Sequence, residues 1–252
     1  MSRPAEKSRR IAFFGGSFDP PHRGHLAVAR AARAALALDT VLFAPVGAQP
    51  LKPRGSTAGF EDRLAMTRLA IAGEPGFEIC LADAPAHSGA SRETSVKPNY
   101  TIDTLLALRA DMPAKDTLFC LMGADSFRAL RRWHRGAEIP FVAPLIVASR
   151  PGQSLDGLAR ILPAGLTVSV PPAPRDSSTV EMRLLTLRNA AGASALLYLL
   201  PGVQEDVSAS EIRRAAGSAH GKFTIERSLL APAVAEYIAA HGLYRESPSP
   251  PA

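Results

Sequence analysis

Short apolar runs alternate with helix-favouring segments along the first 150 residues of the chain. The runs predicted to be strands cover residues 11–14, 41–45, 77–81, 118–122 and 141–148. The Ala- and Leu-rich segments predicted to be helices cover residues 24–38, 61–72 and 102–108. Because strands alternate with helices, the pattern predicts βαβ units and a parallel sheet, which is an α/β fold.

The pattern after residue 163 is less regular. Prolines in PPAPRDSS, residues 171–178, prevent this segment from forming a helix or a central strand. Ser178 and Glu181 have the spacing of a capping box, which predicts a helix through Arg188. Two later segments are predicted to be regular, a strand over 194–200 and a closing helix over 229–241.

Composition narrows the class of protein. The chain has 252 residues, 46% of them hydrophobic, enough to bury one sizeable core or two small ones. Cys80 and Cys120 lie in predicted strands and have neither zinc-site spacing nor the pattern of a disulfide framework. No apolar run reaches the roughly 18 to 20 residues of a membrane span, and the N-terminus lacks a signal-type apolar segment. We therefore expect a cytoplasmic protein.

The net charge of +6 comes from 29 basic and 23 acidic residues. Half of this excess lies in residues 1–10, which we expect to be a flexible basic tail, and residues 245–252 are expected to be a disordered tail. The other basic residues are scattered or lie near the motifs below, which favours small phosphorylated ligands over nucleic acid. A solvated basic surface is the alternative for most of them.

The segment FFGGSFDPPHRGH, residues 13–25, lies at a predicted turn from strand to helix. Such turns stand at the carboxyl ends of parallel strands and offer N–H groups to an anion. Gly15 and Gly16 leave room for a phosphate, and His22 and His25 are spaced to point the same way at the helix start. The segment therefore predicts phosphate binding by two imidazoles, with half a metal site or a plain loop as alternatives. It contains neither a P-loop nor a G-x-G-x-x-G pattern.

The same segment resembles the G-G-[ST]-F-D-P-x-H-x-G-H signature of the HxGH nucleotidyltransferase superfamily, and specifically that of the bacterial nicotinate-nucleotide adenylyltransferase family. Further blocks agree in order along residues 11–244. They are QPLKP (49–53), EDRLAMTRLAI (61–71), NYTIDTLLALR (99–109), LMGADSFRALRRWHR (121–135), VASRPG (147–152), DVSASEIRRA (206–215) and LLAPAVAEYIAAHGLY (229–244). The resemblance implies a Rossmann-like, doubly wound parallel sheet flanked by helices, with a small C-terminal helical part. Residues 11–244 would form this nucleotidyltransferase domain, with 171–194 as an insertion relative to the family.

The resemblance also implies a reaction. It is adenylyl transfer from ATP to nicotinate mononucleotide, which gives nicotinate adenine dinucleotide and pyrophosphate in NAD biosynthesis. Mg²⁺ is expected to be carried by the ATP phosphates, so no protein metal ligand is assigned. Nucleic acid and membrane are not expected as partners, and both monomer and dimer stay open. Two alternative functions also stay open: adenylyl or cytidylyl transfer to another phosphorylated acceptor such as phosphopantetheine, and a non-catalytic nucleotide-binding module.

The family's functional residues carry over to three sets of positions. The residues expected to be catalytic are His22, His25, Lys52 and Arg213. The residues expected to bind ATP are Gly15, Gly16, Ser17, Phe18, His22, His25, Gly123, Asp125, Ser208, Ser210, Ile212 and Arg213. The residues expected to bind nicotinate mononucleotide are Lys52, Tyr100, Thr101, Trp133, His134 and Arg150.

A purely structural role stays open at some of these positions, and two nearby residues depart from the family pattern. Asp125 would be accounted for by a helix N-cap, and Ser208 by an ordinary capping box. Core packing is the usual role of a tryptophan, although the charged neighbours of Trp133 favour partial exposure. Leu51 and Ala209 stand where the family commonly has His and Ser, which leaves closure of the 49–53 loop open and removes one hydroxyl.

Overall fold

Eight strands form one sheet in the part of the chain that the structure, a computed structural model, describes. The described residues are 7–51, 55–85, 98–149, 158–169, 182–203, 207–217 and 229–245. The strands are β1 (Arg10–Gly16), β2 (Thr40–Pro45), β3 (Phe77–Ile79), β4 (Thr117–Gly123), β5 (Leu145–Ala148), β6 (Thr167–Ser169), β7 (Arg183–Arg188) and β8 (Ser194–Leu200).

The strand order is β3-β2-β1-β4-β5-β8-β7-β6. The first six strands in this order, from β3 to β8, run parallel to one another, as predicted. At the other edge β7 and β6 are antiparallel, so the sheet is mixed. The order reverses between β1 and β4, and at such a point the carboxyl ends of the strands leave a crevice in which α/β proteins bind ligands.

Helices cover both faces of the sheet, which confirms the predicted doubly wound arrangement. They are α1 (Arg23–Leu36), α2 (Phe60–Ile71), α3 (Thr101–Asp111), α4 (Ala124–Ala129), α5 (Ile139–Val142), α6 (Leu158–Ile161), α7 (Ala209–Gly217) and α8 (Pro232–Ala240). A 3₁₀ turn, Leu130–Arg132, follows α4 directly. None of the helices in the described residues is long and apolar enough to span a bilayer.

The central strands are buried on both faces of the sheet. Successive side chains along each strand point to opposite faces, and each face is covered by its own apolar cluster. In β1, Ile11 and Phe13 belong to one apolar cluster and Ala12 and Phe14 to the other. This two-sided burial explains why the parallel strands appear in the sequence as unbroken apolar runs. A third cluster joins α2, α7 and α8 and forms the predicted C-terminal helical part.

The predicted helix ending at Arg188 is wrong, because residues 183–188 are strand β7. Leu185 and Leu187 are buried while Leu184 is exposed, which is the two-residue alternation of a half-buried strand. A tight turn with Gly192 at a φ of 83° returns the chain, and β7 pairs with β8 as an antiparallel hairpin. The predicted capping box lies outside the described residues.

The end of the predicted N-terminal tail is bonded to the sheet. The backbone N–H and the guanidinium of Arg9 donate to Asp116, at 2.9 and 3.1 Å, and Arg10 begins β1. These bonds hold the pKa of the Asp116 carboxyl below its usual value, chiefly through the backbone N–H of Arg9. Residues 1–6 and 246–252 lie outside the described part of the chain.

Candidate active site

A cavity of about 830 Å³ opens at the carboxyl ends of three neighbouring parallel strands. Its walls include Gly15 and Gly16 at the end of β1, Gly123 at the end of β4, and Ala148 and Ser149 at β5. This is the point where the strand order reverses, so the fold itself creates the crevice.

The cavity brings together most of the residues predicted to bind the two substrates. Those that line it are Gly15, Gly16, Ser17, Phe18, His22, His25, Tyr100, Thr101, Gly123, Asp125, Trp133, His134 and Arg213. Segments from distant parts of the sequence therefore meet in one space, although the sequence alone related them only by resemblance.

The other predicted site residues are placed differently. The side chain of Ile212 is fully buried in the cluster between α2, α7 and α8, so it packs the core. Ser208 precedes α7, where its carbonyl accepts the N–H groups of Glu211 and Ile212, and the hydroxyl of Ser210 accepts a hydrogen bond from Arg213. Lys52 and Arg150 lie outside the described residues.

His22 and His25 form a contacting pair at the start of α1. Their ring centroids are 3.8 Å apart, and the ring of Phe18 meets His25 edge-on at 5.0 Å. The backbone N–H of His22 donates to Nδ1 of His25 at 3.2 Å. Because Nδ1 accepts this bond, the proton of a neutral His25 resides on Nε2, which makes that nitrogen a donor. The cavity thus contains a fixed imidazole N–H of the kind that binds phosphate oxygens.

Asp19 connects this loop to three other parts of the chain. Its carboxylate, only 4% exposed, accepts the backbone N–H groups of Thr57 and Ala58, at 2.6 and 3.1 Å. It also accepts the hydroxyl of Tyr244 at 2.8 Å. The guanidinium of Arg213 donates to the backbone carbonyl of Asp19 at 2.6 Å. Asp19 therefore ties the histidine loop to α7 and to the residues after α8.

Arg63, on α2, is a buried guanidinium beneath the same loop. It is 2% exposed and donates to the carbonyls of Ser17 and Val46, each at 2.8 Å, and of Ala58 at 3.2 Å. Burial lowers the pKa of Arg63, and the nearby Asp19 carboxylate opposes this effect. The three bonds join the loops after β1 and β2 to the start of α2.

Asp83 contributes a second buried carboxylate to the cavity wall. It is 4% exposed and accepts a hydrogen bond from the hydroxyl of Thr104 on α3. Burial raises the pKa of Asp83, and the bond from Thr104 partly offsets the rise. Asp83 lies near Gly15, where a Cβ atom would be 3.9 Å from the carboxylate but only 2.9 Å from the ring of Phe13. Gly15 is thus required by the packing of Phe13 as well as by the cavity.

Aromatic side chains form the opposite side of the cavity. The rings of Tyr100 and His134 contact each other with centroids 4.3 Å apart. Trp133 is half-buried against the core beside the cavity, which agrees with the partial exposure predicted from its charged neighbours. Thr101 is the first residue of α3, so its hydroxyl lies beside the N–H groups of a helix start.

Asp125 lies on the rim of the cavity in the first turn of α4. The N-cap of this helix is Gly123, so an N-cap role for Asp125 is wrong. The carboxylate is exposed and forms an ion pair with Arg128 at 3.2 Å. It is therefore accessible to a ligand that enters the cavity.

Four residues at or beneath the cavity were not predicted as functional: Asp19, Arg63, Asp83 and Tyr244. Asp19 lies in a proline-rich loop next to Phe18, and Arg63 lies in a helix with three other charged residues, so the sequence did not mark either as buried; both belong to blocks that carry the family resemblance, and this was the available signal. Tyr244 gave no local signal, because its partner lies 225 residues away in sequence.

Comparison with known proteins first gives the class. A family model described as cytidylyltransferase-like matches residues 13–215. This match places the chain among nucleotidyltransferases that share the fold described above.

Curated relatives narrow the class to one family. A probable nicotinate-nucleotide adenylyltransferase of Laribacter hongkongensis is 40% identical over 245 residues, covering 95% of this chain and 96% of its own. Another, of Trichlorobacter lovleyi, is 34% identical over 236 residues, covering 94% of this chain and 99% of its own. The chain belongs to the nicotinate-nucleotide adenylyltransferase family.

Solved structures confirm the fold. The nicotinic acid mononucleotide adenylyltransferase of Plasmodium falciparum, complexed with NaAD, matches with a TM-score of 0.66 at 18% identity, over 94% of this chain and 97% of that one. The same enzyme complexed with APC matches with a TM-score of 0.64 over the same shares. At this level of identity the likeness shows the architecture alone.

Proposed function

We propose that the protein transfers the adenylyl group of ATP to nicotinate mononucleotide and releases pyrophosphate, a step of NAD biosynthesis. The observation that carries this proposal is that one cavity contains both the His22–His25 pair and the aromatic group around Trp133. One side is suited to phosphates and the other to a flat ring. Membership of the nicotinate-nucleotide adenylyltransferase family supports the assignment.

The chemistry needs positioning rather than a protein nucleophile. A phosphate oxygen of nicotinate mononucleotide forms a bond to the α-phosphorus of ATP, the bond from that phosphorus to the bridging oxygen breaks, and pyrophosphate leaves with the electron pair. The attacking phosphate is already anionic at neutral pH. Two unit charges about 4 Å apart repel by roughly 4 kcal/mol at an effective dielectric constant of 20, so the site must offset this repulsion. Donors fixed toward the phosphates supply that offset.

On the side of the cavity that binds ATP, which we call the ATP side, His22 and His25 contact the ATP phosphates. The Nε2–H of His25 donates to an oxygen of the triphosphate, with its direction fixed by the bond to Nδ1. Arg213 adds a positive charge from the first turns of α7. Gly123 and Asp125 bind the adenosine ribose, for which an exposed carboxylate is a suitable acceptor.

On the acceptor side, Trp133 stacks on the nicotinate ring, and Tyr100 and His134 extend the aromatic wall. The hydroxyl of Thr101 and the N–H groups at the start of α3 bind the pyridine carboxylate. Lys52 and Arg150 stay predicted ligands of the phosphates and of the mononucleotide.

We propose Mg²⁺ as the divalent ion of the reaction, carried by the triphosphate. Within the described ranges no group of three or more His, Cys, Asp or Glu side chains could hold a metal ion. Mg²⁺ bound mainly by phosphate oxygens and water needs no such group of protein ligands, and the N–H donors of the cavity act on the phosphates instead. When bound, the ion neutralises part of the triphosphate charge.

Three further expectations stay predictions: a cytoplasmic location, the absence of nucleic-acid and membrane partners, and an oligomeric state of monomer or dimer.

The test compares acceptors in one assay. Purified protein with ATP and Mg²⁺ is expected to release pyrophosphate when nicotinate mononucleotide is added, and nicotinamide mononucleotide is expected to be a much poorer acceptor. Equal rates would remove the preference for the acid. Turnover with phosphopantetheine alone, or nucleotide binding without turnover, would replace the proposal with one of the two alternative functions.

A further inference from the structure

A network of two buried charged side chains and one half-buried tyrosine lies beneath the histidine loop, outside the set of residues that line the acceptor side. It consists of Asp19, Arg63 and Tyr244, and we call it the Asp19 network. Its members come from the loop after β1, from α2 and from the chain end after α8. Asp19 and Arg63 are 4% and 2% exposed.

The network leaves the histidine loop few ways to move. Ser17 is held by its carbonyl to Arg63, and the carboxylate of Asp19 accepts three hydrogen bonds, one of them from Tyr244. Both attachments fall within five residues before His22. Since His22 carries the backbone N–H that orients His25, a shift of Asp19 would change the direction of both imidazoles.

Asp19 also positions Arg213. One terminal nitrogen of the Arg213 guanidinium donates to the backbone carbonyl of Asp19, and the other donates to the hydroxyl of Ser210. The phosphate-binding imidazoles and the phosphate-binding guanidinium are therefore fixed relative to one another through one residue, Asp19.

Backbone strain at Tyr244, and at the residue that precedes Asp19, points to a function for the network. Phe18, next to Asp19, has a φ of 46°, and Tyr244 has a φ of 67°. Residues other than glycine rarely adopt these values, and they persist where surrounding contacts enforce them, often at functional sites. Burial, followed by the Asp19 charge, raises the pKa of Tyr244, so its hydroxyl stays protonated and able to donate.

Stability alone explains the network poorly. Taking a carboxylate and a guanidinium out of water is costly, and well-packed apolar residues of similar size often give equal or greater stability. Three bonds from Arg63 to carbonyls of three different segments define geometry, which a set of apolar contacts would define less tightly.

We propose that Asp19, Arg63 and Tyr244 are positioning residues of the ATP side, and that Tyr244 makes the end of the chain after α8 a part of that site. Tyr244 holds the Asp19 carboxylate, Arg63 holds the carbonyls around it, and together they direct His25 and Arg213 at the triphosphate. The inference rests on the proposed function for the identity of the nucleotide.

The test uses Tyr244→Phe, which removes one hydroxyl, and Tyr237→Phe as a matched control. Tyr237 lies on α8, and its hydroxyl donates to the carboxylate of Asp62 at 3.1 Å, a similar bond whose partners do not line the cavity. For each variant and the wild type, kcat, both KM values and Tm are measured, together with the affinity for a non-hydrolysable ATP analogue by calorimetry.

Tyr244→Phe is expected to lower kcat/KM for ATP about tenfold and to weaken binding of the analogue about fivefold, with the KM for the acceptor unchanged within about twofold. Tyr237→Phe is expected to match the wild type in all kinetic values, while both variants lose similar Tm. Equal kinetics for the two variants would overturn the proposal, because a merely structural hydroxyl would affect both alike.

Arg63→Lys is a second variant that tests the Asp19 network. An ammonium keeps the charge but does not reproduce a fork of three directed donors, so a fall in kcat/KM for ATP of at least about tenfold is expected. Wild-type kinetics in this variant would also contradict the proposal; if the variant does not fold, Tyr244→Phe decides.

The wild type separates the two proposals. If it binds the analogue without adenylyl transfer, the proposed function fails while the binding data still test the network. Loss of nucleotide binding by the wild type would overturn both.

Discussion

The two sides of the cavity are built in different ways. The proposed ATP side, which contains His22, His25 and Arg213, is held by hydrogen bonds of the buried residues Asp19 and Arg63. These bonds join segments from four parts of the chain. The acceptor side consists of ring contacts between Tyr100 and His134 and of Trp133, half-buried against the core.

This difference matches what each side has to do. In-line transfer requires the α-phosphorus to be held in one orientation, and errors of about 1 Å reduce the rate greatly. A flat ring, in contrast, gains most from area and exclusion of water, which aromatic walls provide without directed bonds. We therefore expect changes on the ATP side to lower kcat and changes on the acceptor side to raise KM.

The largest expected difference between the two sides is the loss of kcat in His25→Ala. Removal of a donor aimed at the developing charge is expected to lower kcat by more than about 10²-fold, or roughly 2.7 kcal/mol, with the fold intact. Steady-state rates and thermal unfolding of the variant measure this. His241→Ala, at an exposed histidine after α8 that does not line the cavity, is the control: it should leave kcat unchanged, with a small loss of Tm because the ring stacks on Tyr237. An active, folded His25→Ala protein would mean that the imidazole does not act on the phosphates.

A smaller effect is expected on the acceptor side from Trp133→Ala. Loss of ring stacking should raise the KM for nicotinate mononucleotide about tenfold, near 1.4 kcal/mol, with kcat nearly unchanged. Trp133→Phe keeps a ring at the position and should recover most of the affinity. The kinetics of both variants are measured with ATP held at saturation. An unchanged KM in the alanine variant would count against stacking.

The smallest effect concerns Asp83, which lies where the two sides meet. Its pKa is raised by burial, so the ionised form is disfavoured in the folded protein, and stability falls as the pH rises from the ordinary value near 4 through the raised pKa. Asp83→Asn keeps an oxygen for the Thr104 hydroxyl and removes the charge. At pH 7 the variant should gain on the order of 1 kcal/mol in free energy of unfolding, with a smaller gain at pH 4.

Asp116→Asn is the control of opposite sign. The pKa of Asp116 is lowered by the backbone N–H of Arg9, so its contribution to stability is present above the ordinary pKa and is lost as the pH falls. This variant should therefore be less stable than the wild type at pH 7. Denaturant unfolding at both pH values measures the two variants; stabilisation by Asp116→Asn, or loss of stability at pH 7 in Asp83→Asn, would contradict the assigned directions.

The parallel part of the fold was predictable because its strands are buried on both faces. Strands β1, β2 and β4 begin within one residue of the predicted positions, since two-sided burial leaves unbroken apolar runs. Strand β7 was missed for the opposite reason. Leu184 on its outer face is exposed, so the run lacks the signature of a central strand.

The histidine pair was predictable because its spacing is local. His25 follows His22 at the third position along the chain, and a helix start converts that spacing into contact. The Asp19 network depends instead on how α2 and the end of the chain pack after folding. Spacing along the sequence carries no information on contacts between residues so far apart, which is why Tyr244 was not identified.

The most direct test of the central claim is a structure of the protein with a non-hydrolysable ATP analogue. We expect the triphosphate at the β1–α1 loop, with ring nitrogens of His22 and His25 within about 2.7 to 3.2 Å of its oxygens. An analogue bound elsewhere, with both imidazoles directed away from it, would contradict the account.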